Sequence, residues 1–261
     1  MNNREKNHEI FNTWLLNKPI AHRGFHDKKF PENTLSAFEN AIQKGYAIEI
    51  DIQATKDDVI IVFHDERLER LTGAEGTMQK YNYDSIKPLN ILNTEEKIPT
   101  LKETLDLVNG RTPLFIEIKD HSRKRVSKLV WEVLKDYKGE FAIQSFNPFE
   151  LRDFRKIAPH IKRGQISCCF RHGGRKFVGK SLLRRMVFNK RVSKPDFIVY
   201  RVEDLPNRFV EKYRELPLLG WTIKSQEQYD KTKELYDNVI FEGFEIDTIT
   251  SYVKDKSSFL I

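Results

Sequence analysis

Apolar residues in this chain gather in short runs separated by stretches of helical period. Runs at 19–22, 47–52, 114–118, 141–145, 163–167, 197–200, 218–222 and 239–242 read as strands. Helical patterns lie between most of them, at 35–44, 101–108, 123–137, 149–157, 176–188, 208–214 and 226–236. Thr34, Thr100, Ser122 and Ser225 stand where N-caps belong, and Gly45 suits a helix end. Strands alternating with helices predict an α/β chain with a parallel sheet. At 261 residues that sheet has the length to close into a TIM-type (β/α)8 barrel. One run breaks the alternation. Residues 59–63 follow 52 after a few positions, and a parallel crossover needs about a dozen. The run therefore returns as an antiparallel hairpin strand over the barrel mouth and delivers His64 and Asp65 there. Residues 65–99 lack a strong period and read as a partly ordered excursion forming one wall of the mouth. Ile10, Phe11, Trp14 and Leu15 share helical spacing, so residues 1–17 predict a lead-in helix. The whole chain, 1–261, reads as a single barrel domain.

Side chains alternate faces along a strand. In the segment 48–52 three isoleucines share one face, and Glu49 and Asp51 share the other. The segment 114–119 repeats the pattern, with Leu114, Ile116 and Ile118 opposite Phe115, Glu117 and Lys119. If the aliphatic faces pack on helices, Glu49, Asp51 and Glu117 converge inside the barrel near its C-terminal end. Two carboxylates about 4 Å apart repel by roughly 4 kcal/mol at an effective dielectric near 20. The cluster therefore calls for a cation, and an all-oxygen donor set suits one Mg2+ or Ca2+ better than zinc. His22 and His64 end two strands at the same face and can supply an acid and a base near neutral pH. Arg23 offers a planar fork for phosphate oxygens and Lys119 a point charge.

These residues sit in recognisable motifs: HRG at 22–24, PENT at 31–34, AF at 37–38, ExD at 49–51, HD at 64–65, IPTL at 98–101, EIK at 117–119, QSF at 144–146 and WT at 221–222. In order and spacing the chain resembles the glycerophosphodiester phosphodiesterase family. The resemblance implies a distorted TIM-type barrel and metal-dependent hydrolysis of a small phosphodiester to sn-glycerol 3-phosphate and an alcohol. It implies that Glu49, Asp51 and Glu117 hold the metal and that His22 and His64 are the acid–base pair. Arg23, Lys119, Gln144, Phe146 and Trp221 would line the phosphate and alcohol site. Two departures stand out. Asp58 replaces the usual glycine of the hairpin turn, where aspartate tolerates a left-handed backbone. The family's late TD pair is replaced by FEGFEID at 241–247, and Glu242 is not counted in the site on sequence grounds.

Competing readings share much of this pattern. A lysophospholipase D-type enzyme, or a lyase that stops at a cyclic phosphate, would use the same residues. A non-catalytic binding barrel would be marked by loss of a histidine or acid, and all are present. Other metal-dependent barrel hydrolases often carry His-x-His on the first strand, which HRG does not offer.

Charge changes the picture in one place. The net charge is +7, yet residues 154–195 contain 13 Lys and Arg and no acid, leaving 7 − 13 = −6 on the remainder. Within it, 171–194 reads either as a barrel helix with a solvated basic rim or as a patch contacting anionic membrane. No nucleic-acid motif accompanies the charge, so no nucleic-acid partner is expected. The longest apolar run, 59–63, is too short to cross a bilayer, and the first residues do not read as a signal peptide. The only two cysteines, Cys168 and Cys169, are adjacent and suggest no disulfide framework, which favours a cytoplasmic location.

Overall fold

The computed structural model describes residues 13–119, 126–169 and 192–247. Its strands are β1 (Ile20–Ala21), β2 (Ala47–Ala54), β3 (Ile60–Val62), β4 (Leu114–Ile118), β5 (Phe141–Ser145), β6 (Arg163–Ser167), β7 (Phe197–Arg201), β8 (Leu218–Ile223) and β9 (Asn238–Phe241). All but β3 pair in parallel with their neighbours, and β1 joins both β2 and β9, so eight strands close a barrel. β3 lies outside that ring, antiparallel on the C-terminal end of β2 with Ile52 opposite Val62. The turn between them places Asp58 at φ +64, the left-handed conformation its side chain tolerates.

The helices described on the outside are α1 (Leu35–Gln43), α2 (Leu101–Val108), α3 (Ser127–Leu134), α4 (Pro148–Ile157) and α5 (Gln226–Thr232), with single turns at Trp14–Asn17 and Arg208–Glu211. The caps follow the sequence closely. Thr34 accepts from Ala37 N, Thr100 forms a capping box with Glu103, and Ser225 accepts from Gln228 N. Ser122 lies outside the described residues. The first amides of α3 are taken instead by the buried Glu150 carboxylate of α4, with Val126 N at 3.3 Å and Ser127 N at 3.1 Å. A cap supplied by a later helix leaves no local signature. The expected helix at 176–188, most of the basic segment and the first residues of the lead-in helix also lie outside the described residues.

Two hydrophobic layers result from strand alternation. Ile48, Ile50, Ile52, Leu114, Ile116 and Ile118 join Phe38, Leu101, Leu105 and Val108 in the layer between barrel and helices. Ile20, Phe115, Ile166, Phe197, Leu219 and Ile240 fill the barrel together with Leu15 and Leu16. The turn Trp14–Asn17 closes the barrel's N-terminal end, where Asn238 at the start of β9 donates to Leu15 O and Lys18 O. Gly164 on β6 is needed in this interior, because a Cβ there would lie 2.0 Å from the Phe197 ring.

The excursion after β3 is better organised than its sequence suggests. Ile61, Phe63, Leu68, Leu71, Met78, Ile86, Ile91 and Ile98 form a third apolar cluster of their own. Its helices, Glu69–Thr72 and Tyr83–Ile86, last one turn each, too short for a periodic pattern to show. No helix among the described residues is long and apolar enough to cross a membrane.

Candidate active site

A cavity of about 430 Å³ opens at the C-terminal end of the barrel. His22, Arg23, Glu49, His64, Glu117, Lys119, Gln144, Phe146 and Trp221 all line it. Asp51 sits beneath, 1% exposed. The ten residues singled out from the sequence are thus brought to one place by β1, β2, β4, β5, β8 and the end of the β3 hairpin.

Carboxylate oxygens of Glu49, Asp51 and Glu117 lie within 4.8 Å of one another. Pairing Asp51 with Glu117 across β2 and β4 puts them side by side. Lys119 Nζ stands 2.8 Å from Glu117 and 3.3 Å from Asp51, and Arg23 Nε 3.3 Å from Asp51. Burial works against charge on Asp51, but Lys119, His64 and Arg23 hold its carboxyl well below the usual range. Burial, reinforced by the neighbouring Asp51 and Glu117, pushes Glu49 well above its ordinary value, and burial also raises Glu117. A cation among them would offset the burial that disfavours charge on Glu49 and Glu117. Asp51 Oδ1 is also buried without a hydrogen bond. A buried carboxylate oxygen whose only close partner among the described residues is the Lys119 ammonium, and an all-oxygen donor set, fit Mg2+ or Ca2+.

The PENT segment explains how Asp51 and Arg23 are fixed. Asn33, at φ +57, donates from Nδ2 to Asp51 Oδ2 at 2.9 Å and accepts from Asp51 N at 3.3 Å. Glu32 accepts from Arg23 at 2.6 Å and from Arg70 at 2.7 and 2.8 Å. Against burial, hydrogen bonds and charge from Arg70 and Arg23 hold Glu32 down at about 2. Arg23 itself is left-handed, φ +56, which turns its N–H onto Glu49 Oε2 at 2.9 Å. Gly24 follows at φ +81, where a Cβ would meet the Ala37 backbone at 2.9 Å.

Each imidazole is backed by a carboxylate. His64 Nδ1 lies 2.6 Å from Asp65 Oδ1, and Asp65 in turn accepts from Arg70. His22 Nδ1 lies 2.5 Å from Glu242 Oε2. Burial lowers the His22 pKa even though Glu242 works to raise it; because a carboxylate only accepts, the Nδ1 contact places a ring proton toward Glu242. Burial alone would raise Glu242; His22 at 2.5 Å, His26 at 3.7 Å and Lys224 at 2.8 Å hold it far below the usual range. Gln144 donates to Glu49 Oε1 at 3.4 Å. Phe146 and Trp221 meet edge to face at 5.8 Å and form an aromatic wall.

Three contributors escaped the sequence reading. Glu242 was set aside because its segment departs from the TD pattern, yet it follows β9 directly and meets His22. His26, which belongs to none of the motifs, lines the cavity with Nε2 buried and 3.7 Å from Glu242. Arg70 lies in the excursion, where no pattern marked it.

The model of the glycerophosphoryl diester phosphodiesterase family matches residues 22–238. The chain belongs to that family. A family member from Caldanaerobacter subterraneus, named glycerophosphodiester phosphodiesterase, is 38% identical over 162 residues, covering 58% of this chain and 66% of that protein. A second, from Bacillus altitudinis and of the same name, is 36% identical over 160 residues, covering 56% and 65%. The matches thus span just under two thirds of these relatives' length. Among solved structures, a phosphodiesterase from Oleispira antarctica in complex with the product sn-glycerol-3-phosphate superposes with a TM-score of 0.71 at 23% identity, covering 87% of this chain and 93% of that one. The glycerophosphodiester phosphodiesterase of Thermotoga maritima gives 0.65 at 26% identity, covering 86% and 94%.

Proposed function

We propose that this family member hydrolyses glycerophosphodiesters to sn-glycerol 3-phosphate and an alcohol, using one divalent cation and the His22–His64 pair. The observation that carries the reading is the joint placement on one cavity of a buried oxygen cluster and two imidazoles, each backed by its own carboxylate. Glu49, Asp51 and Glu117 would hold Mg2+ or Ca2+. When bound, the cation supplies positive charge to a phosphate oxygen and to the glycerol hydroxyls. One imidazole takes the proton of the glycerol 2-hydroxyl as that oxygen attacks phosphorus. The other protonates the departing alcohol oxygen. The histidines then exchange roles as water opens the resulting cyclic phosphate. Arg23 and Lys119 hold compensating positive charge beside the phosphate position, and Phe146 and Trp221 keep water from the alcohol side.

The test is a panel of glycerophosphocholine, glycerophosphoethanolamine and lysophosphatidylcholine, each with Mg2+, Ca2+ or chelator, read by phosphorus NMR. Release of an open monoester that stops with chelator is the expected result. A persistent cyclic ester would make the chain a lyase, and turnover indifferent to chelator would remove the cation from the reaction. Preference for lysophosphatidylcholine would move the activity to the lysophospholipase D type.

A further inference from the structure

The mouth holds a second group of donor atoms with different chemistry. One ligand atom each from His22, His26 and Glu242 lies within 4.8 Å of the other two, and His22 Nδ1 and His26 Nε2 stand 2.5 and 3.7 Å from Glu242 Oε2. His26 Nε2 is buried and makes no close hydrogen bond, facing Glu242 Oε2 at 3.7 Å. An imidazole nitrogen at a cavity wall with only a long contact to a carboxylate is an available ligand atom. Two imidazoles and one carboxylate are a set that zinc favours, whereas the neighbouring Glu49–Asp51–Glu117 cluster offers oxygen alone and suits harder ions.

We infer that His22, His26 and Glu242 form a zinc-binding site that inhibits the enzyme by capturing His22. Tetrahedral zinc, with bonds of about 2.0–2.2 Å, sets its donors roughly 3.3–3.5 Å apart. The present His26–Glu242 separation of 3.7 Å is close to that. The His22–Glu242 separation of 2.5 Å opens as the ion replaces the shared proton. Lys224 keeps its contact to the other Glu242 oxygen, Oε1, at 2.8 Å. Water or a substrate oxygen in the cavity completes the fourth position. Zinc on Nδ1 removes the hydrogen bond to Glu242 and lowers the basicity of the ring. The inhibitory part of the inference rests on the acid–base reading of His22; the binding part does not.

The experiment therefore measures binding and turnover separately. Zinc is titrated into the full chain saturated with Ca2+, with calorimetry for affinity and X-ray absorption for the ligand shell. One tight site with imidazole scattering and no sulfur is expected. His26→Ala and Glu242→Gln should each weaken it by about tenfold or more, while Glu49→Gln leaves it in place. Sulfur ligation by Cys168 or Cys169, loss of the site in Glu49→Gln, or full affinity in His26→Ala overturns the assignment. Zinc that binds with imidazole ligation while turnover is undiminished retains the site and overturns the inhibition, and with it the role given to His22.

Discussion

His22 and His64 are alike in chemistry and unlike in surroundings. Each gives Nδ1 to a carboxylate, but Glu242 reaches His22 from the end of β9, whereas Asp65 is the sequence neighbour of His64. If each ring moves a proton in the reaction, His22→Ala and His64→Ala each reduce kcat by roughly 10²–10⁴ with the circular dichroism spectrum unchanged. Near-normal turnover in either variant removes that residue from the mechanism. Glu242→Gln separates positioning from catalysis. The glutamine retains an acceptor oxygen but loses the charge that opposes the burial effect on His22. The His22 pKa therefore falls further, and the limb of the pH–rate profile that it governs moves to lower pH. Turnover falls on the order of 10²-fold, with the fold intact. An unmoved profile would make Glu242 a packing residue. Glu242 was hard to read from sequence because its role depends on barrel closure: β9 pairs with β1, 220 positions away along the chain. By contrast, Glu49, Asp51 and Glu117 were legible because strand alternation alone decides which way they face.

The elements that carry the site differ in how far local pattern specifies them. The barrel strands were legible from apolar runs, and the β3 hairpin from a connection too short for a parallel crossover. The excursion was not, since its order comes from side chains meeting across one-turn helices. Its functional contribution is Arg70, which bridges Asp65 and Glu32 and so ties the His64 carboxylate to the group that holds Arg23. Burial opposes charge on both acids, yet Arg70 together with Arg23 or His64 brings Glu32 and Asp65 to about 2. A carboxyl lowered in the folded state stabilises fully above its unfolded pKa, and that stability is lost as pH falls through the folded value. The bridge therefore adds stability above about pH 4.5 that disappears on approach to pH 2. Glu32→Gln should cost about 2 kcal/mol at neutral pH, after allowance for solvent screening at the half-exposed Arg70. It should also flatten the dependence of stability on pH between 5 and 2, measured by urea unfolding at a series of pH values. A parallel loss at every pH would assign Glu32 to packing alone.

At the scale of the whole molecule, the barrel joins an apolar interior below to a charged mouth above, and the two make opposite demands on stability. Aliphatic alternation on β2 and β4 buries isoleucine on the outer face, and the same alternation forces Glu49 and Glu117 into a closed space. Burial raises both acids, with like charge adding to it. A glutamate whose folded pKa is raised must keep a proton that the unfolded chain has released, so the cation-free fold is penalised as pH climbs above the ordinary glutamate value. Glutamine at position 49 imitates the protonated acid without that penalty. Glu49→Gln should therefore leave the cation-free protein at least as stable as the parent at pH 7, although a buried polar group has been changed. Added cation should reverse the order. At 100 times its dissociation constant, an ion bound only by the folded state adds about 2.7 kcal/mol, or roughly 5–10 °C in Tm for a chain of this size. The parent should gain that increment with Ca2+ or Mg2+ in differential scanning calorimetry, while Glu49→Gln gains a fraction of it. If Glu49 were structural, the variant would be less stable with and without the ion by the same amount. Crossing of the two melting temperatures as cation is added is thus the signature of a fold that accepts strain at its mouth in order to hold an ion there.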